Sequence, residues 1–466
     1  MIELPFLSGK RIAVMGLARS GIATARALAA AGAEVVSWDD GAESRARAQA
    51  AGIGVRDLAD ADWTRFEMLV LSPGIAHAHP KPHPVAAAAR AGGCPIVSDI
   101  ELLWRARRAA RFIAITGTNG KSTTTTLIGH VLSKAGLAVA IGGNLGTPAL
   151  ELAPLGAGGV YVIEISSYQL EITPSAVFDI AVLLNITPDH LDRHGTMAGY
   201  VGAKRLVFRG QGENATAIVG IDDAHCRRAR ADLAARGSQR VIPISAFDGA
   251  AGGVFANGQW LIDDLDRLAR PAADLSRARA LPGAHNSQNA AAAYAVARAL
   301  EIDRGTAAQA LLDFPGLVHR QESVAVMGGV RYVNDSKATN AAATARALEA
   351  YENIYWIAGG VPKEGGIEPL AALFGRVARA FLIGQAADGF ARTLDGRVPF
   401  GRYTSLEAAL EAAHKAAQAA ARKPAVVLLS PACASFDQFK DFEARGDAFR
   451  AAVNRLASAP QAEARA

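Results

Sequence analysis

The residues best suited to chemistry are Thr116-Gly117-Thr118-Asn119-Gly120-Lys121-Ser122-Thr123, which follow the apolar run Ile113-Ala114-Ile115. Gly117 and Gly120 allow main-chain N–H groups to turn toward one point. Lys121 adds a positive charge there, and the helix that starts at this point directs its N-terminal dipole at the same anion. Ser122 or Thr123 suits Mg²⁺. The general phosphate-loop pattern puts a glycine where Ile115 stands, so this is the shorter form T-G-T-N-G-K-S. ATP is the expected nucleotide. Glu164 closes a second apolar run, 162–165, where a carboxylate is costly unless a cation meets it. His190, in Asn185-Ile186-Thr187-Pro188-Asp189-His190-Leu191-Asp192, follows a third. Parallel strands would deliver both to the edge that carries the phosphate loop, as a metal site requires.

The elements that must position these groups read as a succession of α/β units. Residues 11–15 and 34–38 read as strands joined by a helix that ends near Gly32, with a third strand at 67–71 that breaks at Ser72-Pro73-Gly74. Gly16-Leu17-Ala18-Arg19-Ser20-Gly21 has the look of a dinucleotide loop, but Ala18 replaces the fingerprint's middle glycine and leaves NAD weakly supported. Asp39 and Asp40 close the second strand, either to take a ribose hydroxyl or as a surface turn. A helix over 99–108 leads into a mostly parallel domain with strands at 138–141, 159–165, 180–185, 217–219 and 241–244, and a hairpin over 254–262 turning at Asn257-Gly258. Helices over 286–300 and up to Asp313 complete it. After Phe314-Pro315-Gly316, strands at 331–334, 354–358, 380–383 and 425–429 imply a third α/β domain, and residues 458–466 should fray. His77, His79 and His83 lie among Pro80, Pro82 and Pro84, which implies an extended surface loop rather than a metal frame.

The 466 residues are enough for about three domains. The net charge of +5 is spread along the chain rather than clustered, which argues against nucleic-acid binding, and the basic stretch 105–111 reads as a solvated face. Cys94, Cys226 and Cys433 fit neither a disulfide framework nor a zinc site. With no signal-peptide pattern at 1–9 and no apolar stretch of membrane-spanning length, a cytoplasmic protein is expected, with no membrane partner.

Taken in order, residues 116–123, 164–169, 185–192, 285–289, 319–320 and 334–340 resemble the Mur ligases of peptidoglycan synthesis, over the whole chain. Gly316-Leu317-Val318-His319-Arg320 and Ser430-Pro431-Ala432-Cys433-Ala434-Ser435-Phe436-Asp437-Gln438-Phe439 look most like the branch that adds D-glutamate to UDP-N-acetylmuramoyl-L-alanine. The resemblance implies a Rossmann-like N-terminal domain for the UDP substrate (1–100), a central mononucleotide-binding parallel-sheet domain for ATP (101–314) and a Rossmann-like C-terminal domain for the amino acid (315–466). It implies a monomer that uses ATP and two Mg²⁺ to make an acyl phosphate, which the amine of D-glutamate then attacks.

Carried over to this sequence, the resemblance makes Lys121, Glu164, His190 and Lys204 catalytic, with Ser122, Glu164, His190 and Lys204 (as a carbamate) on the metal. From the residues alone Lys204 would pass for an exposed helix lysine. Residues 117–123 with Asn286, Asn289, Arg320 and Asp335 would hold ATP. Leu17, Ala18, Arg19, Ser20, Asp39, Ser72, Pro73, Gly74, Asn144 and His190 would hold the UDP substrate, although Asp40-Gly41 stands where the family often has Thr-Arg. Lys337, Thr339, Lys363, Ser435 and the main-chain N–H of Phe442 would hold D-glutamate, and Glu364 is inserted in the lysine loop relative to the family's shorter pattern.

Overall fold

A computed structural model describes residues 1–144, 146–247, 249–363, 365–422 and 424–458. Glu364 and the expected fraying over 459–466 lie outside the described residues. The chain divides into two compact units, Met1–Phe314 and Pro315–Ala466. Among the described residues the first unit holds a four-stranded and a nine-stranded sheet and the second a six-stranded one.

The first sheet contains β1 (Arg11–Met15), β2 (Glu34–Trp38), β3 (Met68–Leu71) and β4 (Ile96–Val97), all parallel in the order β2-β1-β3-β4. The second contains β5 (Arg111–Thr116), β6 (Val139–Gly143), β7 (Val160–Glu164), β8 (Ile180–Leu183), β9 (Thr216–Gly220), β10 (Arg240–Ser245), β11 (Val254–Asn257), β12 (Trp260–Asp263) and β13 (Arg270–Asp274). Its order is β13-β12-β11-β10-β9-β8-β5-β7-β6. Continuous apolar runs mark strands covered on both faces, and all five residues of β7 are buried. The expected hairpin is β11–β12, and β13 adds a third antiparallel strand that sequence reasoning missed because Arg270-Pro271 breaks its pattern. The helix Ala284–Ala299 is buried along most of its alanine-rich length, which lets it lie close on the helix Lys121–Lys134.

The second unit contains β14 (Glu322–Met327), β15 (Val330–Asn334), β16 (Ile354–Gly359), β17 (Val377–Ile383), β18 (Phe400–Arg402) and β19 (Ala425–Leu429), ordered β14-β15-β19-β16-β17-β18. Only β14 runs antiparallel to its neighbour. The edge strands β14 and β18 escaped the sequence reading, since each is half exposed and lacks an apolar run.

A buried acid marks the helix Asp99–Ala106, which leads into β5. Ser98 caps this helix by accepting from Glu101 N–H, and Asp99 is fully enclosed at its first turn. Asp99 Oδ1 accepts from the N–H of Ile100 at 3.0 Å, while Oδ2 has no partner. Burial pushes this carboxyl up to about 6, with Ile100 N–H offsetting part of the rise. A folded-state value above the unfolded one means that the folded protein holds the proton more tightly. Its stabilising contribution is thus complete below about pH 4 and lost as pH rises through about 6. Asp99→Asn should gain stability relative to the wild type across that window, by up to about 3 kcal/mol. Melting curves of both proteins from pH 4 to 7 check this, and a constant difference between them would refute it.

Candidate active site

β5 lies between β7 and β8, and in-register parallel pairing sets Ile115 beside Glu164 and Thr116 beside Leu183. The segments leaving these three strands therefore emerge side by side at the carboxyl edge, where open α/β sheets bind ligands. Gly120 takes a left-handed conformation (φ 82°), and a side chain there would collide with Asn289. The helix Lys121–Lys134 starts directly after it.

The loop is held in shape by the segment after β8. Asn185 accepts from Asn119 N–H at 2.9 Å through its side chain and from Thr118 N–H at 2.8 Å through its carbonyl. Its side-chain amide donates to Gln288 Oε1 at 3.0 Å, and Gln288 in turn donates to Asp222. Thr118 Oγ1 accepts from Thr187 N–H at 3.1 Å and lies 3.1 Å from the hydroxyl of Tyr200. Asn286 and Asn289 join the same frame: Asn289 donates to Asn286 Oδ1 at 2.9 Å and accepts from Thr124 Oγ1 at 3.0 Å.

Two ammonium groups converge on one carbonyl. Lys121 Nζ donates to Gly117 O at 3.0 Å and to Thr118 O at 2.9 Å, while Lys204 Nζ donates to Gly117 O at 2.7 Å. Lys204 is 2% exposed, contrary to a reading of its residue type, because Tyr200 and Lys204 share the buried face of the helix Met197–Arg205. The spacing Tyr200, Ala203, Lys204, Val207 carried that signal. Burial first, then the charge of Lys121, pushes the Lys204 amine down to about 7. Its ammonium lies 4.7 Å from the centre of the Tyr200 ring, whose hydroxyl burial raises to about 12.

Glu164 is 3% exposed. Oε1 accepts from Asn144 Nδ2 at 2.9 Å, and Oε2 is buried without a partner. His190 sits at the same edge in a left-handed conformation (φ 50°), with its ring edge-on to Tyr168. Among the described residues no three His, Cys, Asp or Glu side chains form a complete cage. A partnerless carboxylate oxygen beside the glycine loop nonetheless fits Mg²⁺, which takes one or two protein carboxylates and completes its shell with phosphate and water.

Sequence reasoning missed the supports of His190. Arg193 donates to Gly74 O at 3.0 Å and to Ile75 O at 3.2 Å and lies over the Tyr168 ring, and His194 stacks on that ring while bonding Ser167 Oγ at 2.9 Å. These contacts tie the turn at Ser72, Pro73 and Gly74 to the His190 segment. His77 pairs with Glu171 and His83 with Asp40, so these two loop histidines go to separate partners. Asp39 accepts from Leu17 N–H at 2.7 Å and from Gly41 N–H at 2.8 Å, which shapes the glycine loop. A cavity of about 410 Å³ opens beside Leu17, Ala18 and Arg19.

The second unit gathers the remaining expected residues at its own sheet edge. Lys337 and Thr339 follow β15, Ser435 follows β19, Lys363 follows β16, and these strands are neighbours. The Lys337 ammonium lies 5.6 Å from the Phe442 ring centre, at the start of the helix Phe442–Ser458. Asp335 is buried, accepting from Gln321 N–H at 3.1 Å and Ser430 Oγ at 2.8 Å, and burial pushes its carboxyl up to about 7. Arg320 also belongs to this unit, and its Nε is buried without a partner.

Residues 115–297 match the Mur ligase middle domain. A UDP-N-acetylmuramoylalanine–D-glutamate ligase of Phenylobacterium zucineum is 52% identical over 463 residues, spanning 98% of each chain. One from Paramagnetospirillum magneticum is 54% identical over 453 residues, covering 97% of this chain and 98% of its own. The crystal structure of a UDP-N-acetylmuramate–alanine ligase from Thermotoga maritima shares the fold at 18% identity with a TM-score of 0.57, over 96% of this chain and 99% of that one.

Because Asn185 braces the phosphate loop from outside it, Asn185→Ala should raise the ATP concentration needed for half-maximal turnover about tenfold while leaving the folded structure intact. Steady-state kinetics with melting curves test this, and an unchanged ATP requirement would show that the brace is dispensable.

Proposed function

The chain belongs to the Mur ligase family, and from that premise we propose that it joins D-glutamate to UDP-N-acetylmuramoyl-L-alanine, converting ATP to ADP and phosphate, in cytoplasmic peptidoglycan precursor synthesis. The observation that carries the reading is the convergence of Lys121, Lys204 and the partnerless Glu164 oxygen at the edge of β7, β5 and β8. We assign residues 1–100 to the UDP substrate, 101–314 to ATP and 315–466 to the amino acid, in a protein acting as a monomer.

A carboxylate is a poor electrophile and carries the same charge sign as the γ-phosphate it must meet. Lys121 and the main-chain N–H groups of 117–123 hold the phosphates and draw off charge as the L-alanyl carboxylate attacks. Asn286 and Asn289 set the floor of the nucleotide site, and Arg320 and Asp335 complete the nucleotide contacts in this reading. Asn144 and His190 orient the muramoyl end, while Leu17, Ala18, Arg19, Ser20, Asp39, Ser72, Pro73 and Gly74 receive the UDP end. Ser122, Glu164, His190 and a Lys204 carbamate would hold two Mg²⁺ ions, which would supply charge neutralisation between the two anions. The resulting acyl phosphate carries a good leaving group. The amine of D-glutamate, held through Lys337, Thr339, Lys363, Ser435 and Phe442 N–H, forms the amide bond as phosphate departs.

The environment of Lys204 suits the carbamate. Its amine is pushed down to about 7, so a large share is neutral at physiological pH and able to add CO₂, releasing one proton. The product replaces a cation by a carboxylate. Lys121→Ala should reduce ADP formation about a thousandfold with the melting temperature preserved, and activity within a few-fold of wild type would remove the phosphate-loop assignment. Lys204→Ala should lose most activity and regain part of it with added acetate, which fills the vacated position. Lys204→Arg should not respond, since a guanidinium still occupies it. Near-normal turnover of both variants without acetate would refute the carbamate.

A further inference from the structure

Arg445 is 1% exposed and among the largest fully buried side chains in the protein. A buried guanidinium ordinarily meets a carboxylate, because desolvating an unpaired charge is costly. This one does not. Its Nε donates to Ser336 Oγ at 2.9 Å, Nη2 to Ser336 O at 2.9 Å and to Cys433 O at 3.1 Å, and Nη1 to Ala434 O at 3.4 Å, all uncharged oxygens. Burial lowers its pKa only to about 10, so the charge persists at neutral pH.

The bonded oxygens belong to the segments that carry the amino-acid site. Ser336 precedes Lys337, and its hydroxyl donates to Phe442 O at 2.8 Å; Cys433 and Ala434 precede Ser435. Ala434 O also accepts from Val361 N–H at 2.9 Å, which brings in the segment of Lys363. Gly360 packs so closely that a side chain there would come within 3.2 Å of the Arg445 Nη1.

We propose that Arg445 is the positioning residue of the D-glutamate site: it clamps the segments after β15 and β19 and holds beneath them a positive charge, hydrogen-bonded to uncharged oxygens, that draws in the dicarboxylate. The proposal rests on the amino-acid assignment above. A clamp alone would need no charge, and a neutral hydrogen-bonding side chain would avoid the desolvation cost. An incoming ligand with two carboxylates gives that retained charge a use.

The test compares wild type, Arg445→Met and Arg445→Lys by ADP release, measuring KM for D-glutamate, ATP and UDP-N-acetylmuramoyl-L-alanine at low and high ionic strength, with melting temperatures alongside. Arg445→Met should raise the D-glutamate KM about tenfold, leave the other two within about twofold, and flatten the rise of the D-glutamate KM with salt. Arg445→Lys should restore the salt dependence but only part of the affinity, since an ammonium lacks the planar fork. Parallel changes in all three KM values, or an unaltered salt response in Arg445→Met, would overturn the proposal. Should Arg445→Met fail to fold, Asp437→Asn decides. The Asp437 charge opposes the field of Arg445, and an Asn oxygen can still accept the N–H of Gln385. This variant should lower the D-glutamate KM about twofold, and no change would refute the idea. Absence of any D-glutamate-dependent ADP release by the wild type would instead refute the assigned reaction.

Discussion

Two lysines share one carbonyl oxygen, and much of the first unit follows from that. Lys121 reaches Gly117 O from the helix that the phosphate loop opens, and Lys204 reaches it from a helix encoded 83 residues later. Holding two cations together away from water is unfavourable unless strong acceptors and an expected anion compensate. The compensation is local: carbonyls of the loop accept from both amines, the face of Tyr200 lies against one, and Glu164 and Asp189 contribute negative charge to the field around Lys204. The depressed basicity of Lys204 is the cost first of its burial and then of the neighbouring Lys121 charge.

The sheet order explains how distant segments meet the tolerance this requires. Only with β5 between β7 and β8 do the glycine loop, Glu164 and the Asn185–His190 segment leave the sheet as neighbours, and register fixes their heights. Asn185 then locks the loop by filling both a donor and an acceptor of Asn119. The left-handed backbone at His190 is an unfavourable conformation for a residue with a side chain. It persists because Arg193 and His194, on the following turn, are anchored to Gly74, Ile75 and Ser167.

The readable parts of the sequence were those in which a local pattern determines structure. The strand–loop–helix at 111–134, the apolar runs of β7, β8 and β19 and the turn at Asn257-Gly258 announce themselves within about ten residues. Strands on sheet edges, β13, β14 and β18, did not, because a half-exposed strand has no continuous apolar run to distinguish it from a loop. Side chains that act across long separations were equally silent. The bond from Asn185 to Gln288 and those from Arg445 to Ser336 join residues about a hundred positions apart, and neither member of either pair has a spacing that names the other.

Burial of a charged group is therefore weak evidence of function until its place and partners are known. Asp99, Glu164 and Asp335 are all enclosed carboxyls, yet they differ. Asp335 has both oxygens engaged, by Gln321 and Ser430, directly after β15. Asp99 leaves one oxygen without a partner at the first turn of a helix, where protonation relieves it. Glu164 also leaves one oxygen without a partner, but at the carboxyl end of a central strand, beside a phosphate loop and within the field of two lysines. There its open lone pairs lie near positive charge, so the missing partner carries a different meaning from that of Asp99. The same comparison applies to the cations. Lys204 and Arg445 are both buried without a direct carboxylate partner, and main-chain carbonyls at the carboxyl edges of their sheets accept from both.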